Sequence, residues 1–375
     1  MFQHVEPIEA AAELLPEGEA SRGSPLRQAR IDAAKRAFTT RRVEFAGRCR
    51  LLANAIPCAG DLVLARIEKL GNHQKLETPH GRRAQLYEGD EIIVAYGERY
   101  APDQFEAEIP SDLGSCDLVA GGGVAGRVLS KHAKISSATR IVPLGLIGDA
   151  NGCRLNLAQF ALVHRPLPSE RPRVIAVAGT SMNAGKTTAA AGLIHGLVRA
   201  GLKVAATKVT GTGSGGDIWS MVDAGAQQVI DFTDMGHAST AGLALAVSER
   251  TAISLIAHCA DGHPDVIVVE FADGLLQRET AALLTSARMR EAIDGVLFAA
   301  PDALSAVGGR EWLLRAGHHV IGVSGLISAS PLASREAEAA MNARVLTLDQ
   351  LRDPVEAPKL AFTAEPNRAV LMAVS

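Results

Sequence analysis

The apolar positions of this chain change rhythm twice. Residues 7 to 56 carry a broken helical periodicity. Ser24-Pro25 is a natural start, with Pro25 at the first helical position, and Leu26, Ile31, Ala34 and Phe38 form one face. From about Gly60 the runs shorten. DLVLARIEKL, YEGDEIIVAYG, DLVAGGGVAGRVLS and RIVPLGLIGDANG read as strands divided by Gly, Pro and Asp turns. Beyond residue 173 the pattern alternates again. A strand at 174–178 precedes a helix from Lys186 to about Ala200, closed by Gly201 as a left-handed cap. Strands at 202–207, 265–274, 295–299 and 319–323 then alternate with helices at 277–292, 302–316 and 331–342.

Strands and helices in that alternation predict a mostly parallel sheet covered on both faces, with ligands at the carboxyl ends of its strands. The expected fold class is α/β, a mostly parallel P-loop NTPase domain preceded by a helical segment and a smaller β-rich domain, a barrel or a sandwich. The expected boundaries are 1–57 for the helical segment, 58–163 for the β-rich domain and 174–375 for the α/β domain. HRPLPSERPR, residues 164–173, with three prolines, reads as a stiff linker.

Composition narrows the function classes. The chain has 375 residues, 47% apolar and 21% charged, with a formal net charge of -3. No long apolar run calls for a membrane, and no polybasic footprint calls for nucleic acid. Five widely spaced cysteines without a CxxC, and no basic-then-apolar leader, predict a reducing cytoplasmic location. The basic patch of Arg27, Arg30, Lys35, Arg36, Arg41 and Arg42 is either a solvated helix face or a contact to substrate phosphate or nucleic acid.

The strongest chemistry lies in VIAVAGTSMNAGKTTAAA, residues 174–191. A buried strand, a glycine-rich turn and a helix opening at Lys186 form the context in which backbone N–H groups converge on phosphate oxygens. Gly179, Thr180, Ser181, Asn183, Ala184, Gly185, Lys186, Thr187 and Thr188 are the candidate nucleotide contacts. Lys186 would reach the β- and γ-phosphates and Thr187 the Mg²⁺. Mg²⁺ takes hard oxygen ligands, which adds Glu270, at the end of VIVVE, and Asp217 to Thr187 as metal candidates. Lys208 could neutralise a transferring phosphoryl group, and Asp273 could hold a metal-bound water or orient a second substrate. Lys186, Lys208, Glu270 and Asp273 form the candidate catalytic set.

GTSMNAGKTT, with five residues between its two glycines, resembles the lengthened phosphate loop of the dethiobiotin synthetase and cobyrinic acid a,c-diamide synthase group. ATK, supplying Lys208, and VVEFADG, supplying Glu270 and Gly274, are similar to that family's later strand ends, over residues 172 to 330. The resemblance implies a P-loop enzyme that uses ATP and Mg²⁺ to phosphorylate or ligate a small-molecule acceptor, a carboxylate in the simplest case. The alternative is an NTPase driving metal or cofactor insertion into a client protein. The lack of an NKxD run favours ATP over GTP. A homo-oligomer, a dimer first of all, is also expected.

Other motifs leave two or more readings open. Gly121 to Gly123 either approach a ligand or make sharp bends. The segment with Arg99, Tyr100, Asp103, Gln104 and Phe105, too polar for a core strand, is a recognition loop or a plain surface loop. GTGSGGD, residues 211–217, reads as an acceptor or magnesium loop. Asp231, Asp234 and His237 serve substrate, metal or a capped turn, with Ser239 and Thr240 capping a helix from Ala241. His258, Cys259 and His263 could contribute to a soft-metal site, although Cys259 also suits a buried position. GVSGLISASP, residues 322–331, lies where a purine ring could rest.

Overall fold

Val174–Ala178 and Val266–Val269 are continuous apolar runs, too short for helices and suited to burial on both faces. The computed structural model describes residues 23–45 and 47–362, and there these runs form the centre of a six-stranded parallel sheet. Its order is Gln228–Asp231, Val204–Lys208, Val266–Glu270, Arg173–Gly179, Gly295–Ala299 and Val320–Ser324. Ile175, Val177, Leu193 and Val268 pack on one face, and Val174, Ala176, Ile267 and Leu255 on the other. This is an α/β domain, a parallel sheet packed on both faces.

The helix after the first strand spans Lys186–Arg199, and Gly201 has the φ of +85° that its left-handed cap position requires. The helix expected over 277–292 is two, Arg278–Thr285 and Ala287–Ala292. Ser286, extended at ψ 145°, ends one and caps the other by accepting from the Met289 N–H. The sequence pattern misses the Gln228–Asp231 strand and the Gly216–Asp223 helix, and it starts the Leu245–Ala260 helix too early. The last of these begins four residues after Ala241; Thr240 instead accepts from the Gly211 N–H at 2.7 Å.

Before residue 161 the architecture is β. Five strands close on themselves: Leu62–Lys69 pairs with Glu91–Tyr96, which pairs with Val124–Lys131, then Cys116–Ala120, then Thr139–Gly148, which returns to Leu62–Lys69. Of barrel and sandwich, the molecule adopts the closed barrel. Alternation along Leu62–Lys69 sends Val63, Ala65 and Ile67 to one cluster with Ile92 and Ile141, and Leu62 and Leu64 to another with Leu26 and Ile31.

That second cluster explains why the helical reading of residues 24–56 is overturned. Ser24–Leu26 is an edge strand paired with Cys49–Leu52, and only Gln28–Ala33 is α-helical. Pro25, which lacks an N–H, is tolerated at a sheet edge as well as in a first helical turn. Leu26 and Ile31 cover the barrel rather than forming a helix face of their own. The remainder of the expected N-terminal helical segment lies outside the described residues. The 164–170 stretch has neither helix nor strand and is pinned along the α/β domain. His164 contacts Ser254 at 3.1 Å, Leu167 packs on the core, and Arg171 just beyond pairs with Asp294 at 2.6 Å. No helix among the described residues is long and apolar enough to cross a membrane.

Candidate functional site

Parallel register carries the chemistry to one edge. Lys208 lies opposite Glu270 and Asp231, and Glu270 opposite Val177, so three strands end in ionisable groups beside the phosphate loop. Two left-handed residues shape that loop, Asn183 at φ 63° and Gly185 at φ 96°. Gly185 is the N-cap of the Lys186–Arg199 helix and supplies no capping side chain. The helix N-terminus therefore faces the cavity with its dipole available to an anion.

Lys186 is buried, and its Nζ donates to the carbonyls of Ser181 and Asp273, both at 2.7 Å. Burial lowers its pKa, against the pull of Glu270 and Asp273. The Thr187 hydroxyl lies 2.9 Å from both Asp217 Oδ1 and Glu270 Oε1. Asp217 is also ion-paired with Lys208. Burial works against the Lys208 charge, but Asp217 and Glu270 outweigh it and raise its pKa. Burial likewise opposes the Asp217 carboxylate, and Lys208 overcomes it, so this acid stays below the usual range. Glu270 goes the other way. It is 1% exposed, and burial first, then the neighbouring Asp217 charge, push its pKa up to about 7. Burial also raises Asp273.

The oxygens fit a magnesium ion. Glu270 Oε2 is buried with no hydrogen-bond partner, beside a hydroxyl and a second carboxylate. Hard oxygen donors of this kind, left unsatisfied by the protein, are what a small divalent cation needs.

The other loop residues frame these groups. Thr180 Oγ1 is buried and unpartnered, Ala184 accepts from the Leu326 N–H at 3.1 Å, and Ser181 and Thr188 are exposed. Asn183 Nδ2 reaches across to Asp103 Oδ2 at 2.6 Å. The result is a cavity of about 810 Å³ between the two units, walled by Lys186, Thr187, Lys208, Asp217, Glu270 and Asp273 on one side and by His73, Arg99 and Gln104 on the other. Leu326, from the 322–331 segment, lines it as well.

Several side chains lie elsewhere than their motifs implied. Asp231 and Asp234 both bind Arg41, from the β-rich unit, and Thr233 joins them, so this motif clamps the two units together. Arg41 belongs to no solvated helix face. Gly121 to Gly123 make the sharp bend between Cys116–Ala120 and Val124–Lys131, and Gly122 also allows close packing: a Cβ there would lie 2.0 Å from the Gly213 carbonyl oxygen of the glycine-rich 211–217 loop. The 99–105 segment, expected as a recognition loop or a plain surface loop, opens one strand, Arg99–Tyr100, and leads into another, Phe105–Glu108; Arg99 and Phe105 are buried, and Arg99, Tyr100 and Gln104 line the cavity. Cys259 is buried in the core, and His258 Nε2 contacts the Val163 carbonyl at 2.8 Å. Sequence reasoning named Arg41 only within a basic patch, without its partners, and missed Glu77, which accepts from the Gly215 N–H at 2.6 Å.

No family model matches the chain, and no curated protein matches it. Solved structures of similar fold include the signal recognition particle 54 kDa protein from Aeropyrum pernix K1 in complex with GDP. It has 16% identity and a TM-score of 0.36, over 52% of this chain and 47% of that one. The signal recognition particle receptor FtsY from Elizabethkingia anophelis matches at 17% identity and a TM-score of 0.32, over 51% and 55%. A nucleotide-binding protein from Archaeoglobus fulgidus in complex with ADP matches at 13% identity and a TM-score of 0.36, over 49% and 86%. The match thus spans about half the length of the first two, and at these scores it assigns this chain no activity.

These matches nevertheless correct four expectations. None is described as a dethiobiotin or cobyrinic acid a,c-diamide synthetase, so that resemblance is withdrawn. With it go phosphorylation or ligation of a carboxylate acceptor and its cofactor-insertion alternative. ATP as the specific nucleotide is withdrawn too, since the similar folds hold GDP as well as ADP. None of these matches is described with a small-molecule acceptor, so that partner is withdrawn, and the dimer and the exclusion of nucleic acid are not carried forward.

Proposed function

We propose that this protein is a Mg²⁺-dependent nucleoside-triphosphate hydrolase whose phosphate site is roofed by its β-barrel unit. The observation that carries the reading is the Thr187 hydroxyl between two carboxylates, 2.9 Å from each, at the second position of a helix whose N-terminus opens on the cavity. Thr187, Asp217 and Glu270 would hold the metal, which when bound neutralises phosphate charge. Lys186 gives up its carbonyl contacts to Ser181 and Asp273 for phosphate oxygens, a stronger charge-assisted pairing. Lys208 holds Asp217 in its ionised form. Water attacks the terminal phosphorus and passes its proton to the departing phosphate, the bond to the bridging oxygen breaks with its electron pair on the leaving group, and nucleoside diphosphate and inorganic phosphate leave. Protein positioning and charge carry this chemistry without a covalent intermediate. The reading names a triphosphate and no base.

The test is Lys186→Ala, with calorimetric titration of adenine and guanine triphosphates in Mg²⁺. Removing a buried ammonium that is satisfied only by carbonyls should leave the fold intact. Affinity should fall by about 100-fold or more, roughly 2.7 kcal/mol. Wild-type affinity in this variant, or no binding of either triphosphate by the wild-type protein, refutes the proposal.

A further inference from the structure

We propose that Arg99, carried by the β-rich unit, contacts the terminal phosphate of a nucleoside triphosphate bound on the 179–188 loop. This rests on the hydrolase reading above and adds the residue that would distinguish a triphosphate from a diphosphate.

Arg99 opens the Arg99–Tyr100 strand, is 7% exposed, and lines the same cavity as Lys186, Thr187 and Glu270. One guanidinium nitrogen, Nη2, donates to Gln104 Oε1 at 2.7 Å. The other two, Nε and Nη1, are buried with no partner. The remaining neighbours do not satisfy them. The Phe105 ring lies 5.9 Å from the guanidinium carbon, and His73 is held neutral, its pKa lowered to about 4 by burial and by Arg99 itself. No carboxylate forms an ion pair with Arg99 among the described residues; the acid whose charge reaches it is Asp273, whose carbonyl holds Lys186.

A buried polar group without partners is expensive to keep, and a buried charge more so. Burial brings the Arg99 pKa down to about 10, which leaves the side chain cationic at neutral pH. Other arginines of the β-rich unit near the α/β domain are spent on protein contacts: Arg41 on Asp231 and Asp234, Arg83 on Glu77. Arg99 differs in lining the cavity while two of its guanidinium nitrogens have no protein partner.

Position identifies the ligand. The Asp103–Asn183 hydrogen bond fastens the turn after Arg99 to the phosphate loop itself. Arg99 thus reaches the same cavity as the loop from the other unit, and on this proposal it meets the terminal group once the inner phosphates occupy the helix N-terminus. The planar guanidinium fork matches two oxygens of a phosphate. On the terminal group it offsets the charge that spreads over the equatorial oxygens as that group transfers.

The experiment uses the full chain and compares non-hydrolysable triphosphate analogues with the corresponding diphosphates, in Mg²⁺, by calorimetry. Arg99→Met should weaken the triphosphate by about tenfold or more, about 1.4 kcal/mol, and the diphosphate by less than about twofold. Ligand-free thermal stability should not fall, because the side chain removed has two unsatisfied nitrogens. Equal weakening of both nucleotides, an unchanged preference for the triphosphate, or a clear drop in ligand-free stability overturns the proposal. If Arg99→Met does not fold, Arg99→Gln, which keeps a donor toward Gln104, carries the comparison; failure of both to fold makes Arg99 structural and also overturns it. Wild-type protein that binds neither nucleotide sinks the hydrolase reading. Wild-type and Arg99→Met proteins that prefer the triphosphate equally sink only the role of Arg99.

Discussion

Asn183 of the phosphate loop donates to Asp103 of the β-rich unit at 2.6 Å, so the loop that opens the Lys186–Arg199 helix is tied to a different sheet. Asn183 also sits at φ 63°, a conformation in which Asn is favoured over other non-glycine residues. The tie is exposed, and an exposed hydrogen-bonded pair contributes little to global stability. Asp103→Ala should therefore lower unfolding stability by less than about 1 kcal/mol, while amide exchange in residues 99–105 and 180–185 accelerates. Unchanged exchange in both segments would show that the roof is held without this bond.

What the sequence made legible follows the range of the interaction. The 174–188 strand, turn and helix is encoded within fifteen consecutive residues, so its residue order alone announces it. Glu270 and Lys208 were legible because an apolar run delivers whatever follows it to a strand end. Arg41 and Arg99 were not. Arg41 finds its partner Asp231 190 residues along the chain, and Arg99, which bonds to nearby Gln104, shares a cavity with the phosphate loop only because the two units dock. The Gln228–Asp231 strand was missed because QVID is short and lies at a sheet edge, without the apolar run that marks the central strands. Pro25 misled for a different reason: its missing N–H suits an edge strand as well as a helix start. The SMN between Thr180 and Ala184 was read correctly as loop, but nothing local reveals that Asn183 reaches Asp103.

Acid should destabilise the protein in a defined window. His73 and His237 have pKa values lowered to about 4, each mainly by burial, with Arg99 next for His73 and His164 next for His237. Unfolded, both return to about 6.5. Between roughly pH 6.5 and 4 the unfolded chain binds protons there that the folded protein does not, so stability falls as pH falls through that range. Urea unfolding at pH 7, 6 and 5 measures it. His237→Gln, which retains a donor toward Thr251 Oγ1, now 3.1 Å from the ring, should flatten the decline. An identical pH slope in wild type and variant would remove His237 from the account.

Glu270 carries the last expectation, because its environment separates binding from turnover. The side chain is 1% exposed, one oxygen faces the Thr187 hydroxyl, and the other has no partner. With its pKa pushed up to about 7 by burial and by Asp217, it is partly protonated in the ligand-free protein at neutral pH and becomes fully ionised only when positive charge enters the site. Glu270→Gln keeps the shape and one acceptor oxygen and removes that ability. The loop, Lys186, Thr187 and Asp217 remain, so triphosphate affinity should change by less than about fivefold, under 1 kcal/mol. Turnover should fall by about 100-fold, near 2.7 kcal/mol of transition-state stabilisation. Ligand-free stability should move the other way above pH 7, since the variant no longer buries an ionised carboxylate beside Asp217. Steady-state phosphate release across a Mg²⁺ series, with unfolding measured at pH 8, reads all three effects. If weak metal occupancy were the whole defect, high Mg²⁺ would restore the wild-type rate; a rate still depressed at saturation places the Glu270 charge in the transition state. Wild-type turnover at every Mg²⁺ concentration would leave Asp273, at φ 61° on the following loop and with its own pKa raised by burial, as the carboxylate to substitute next.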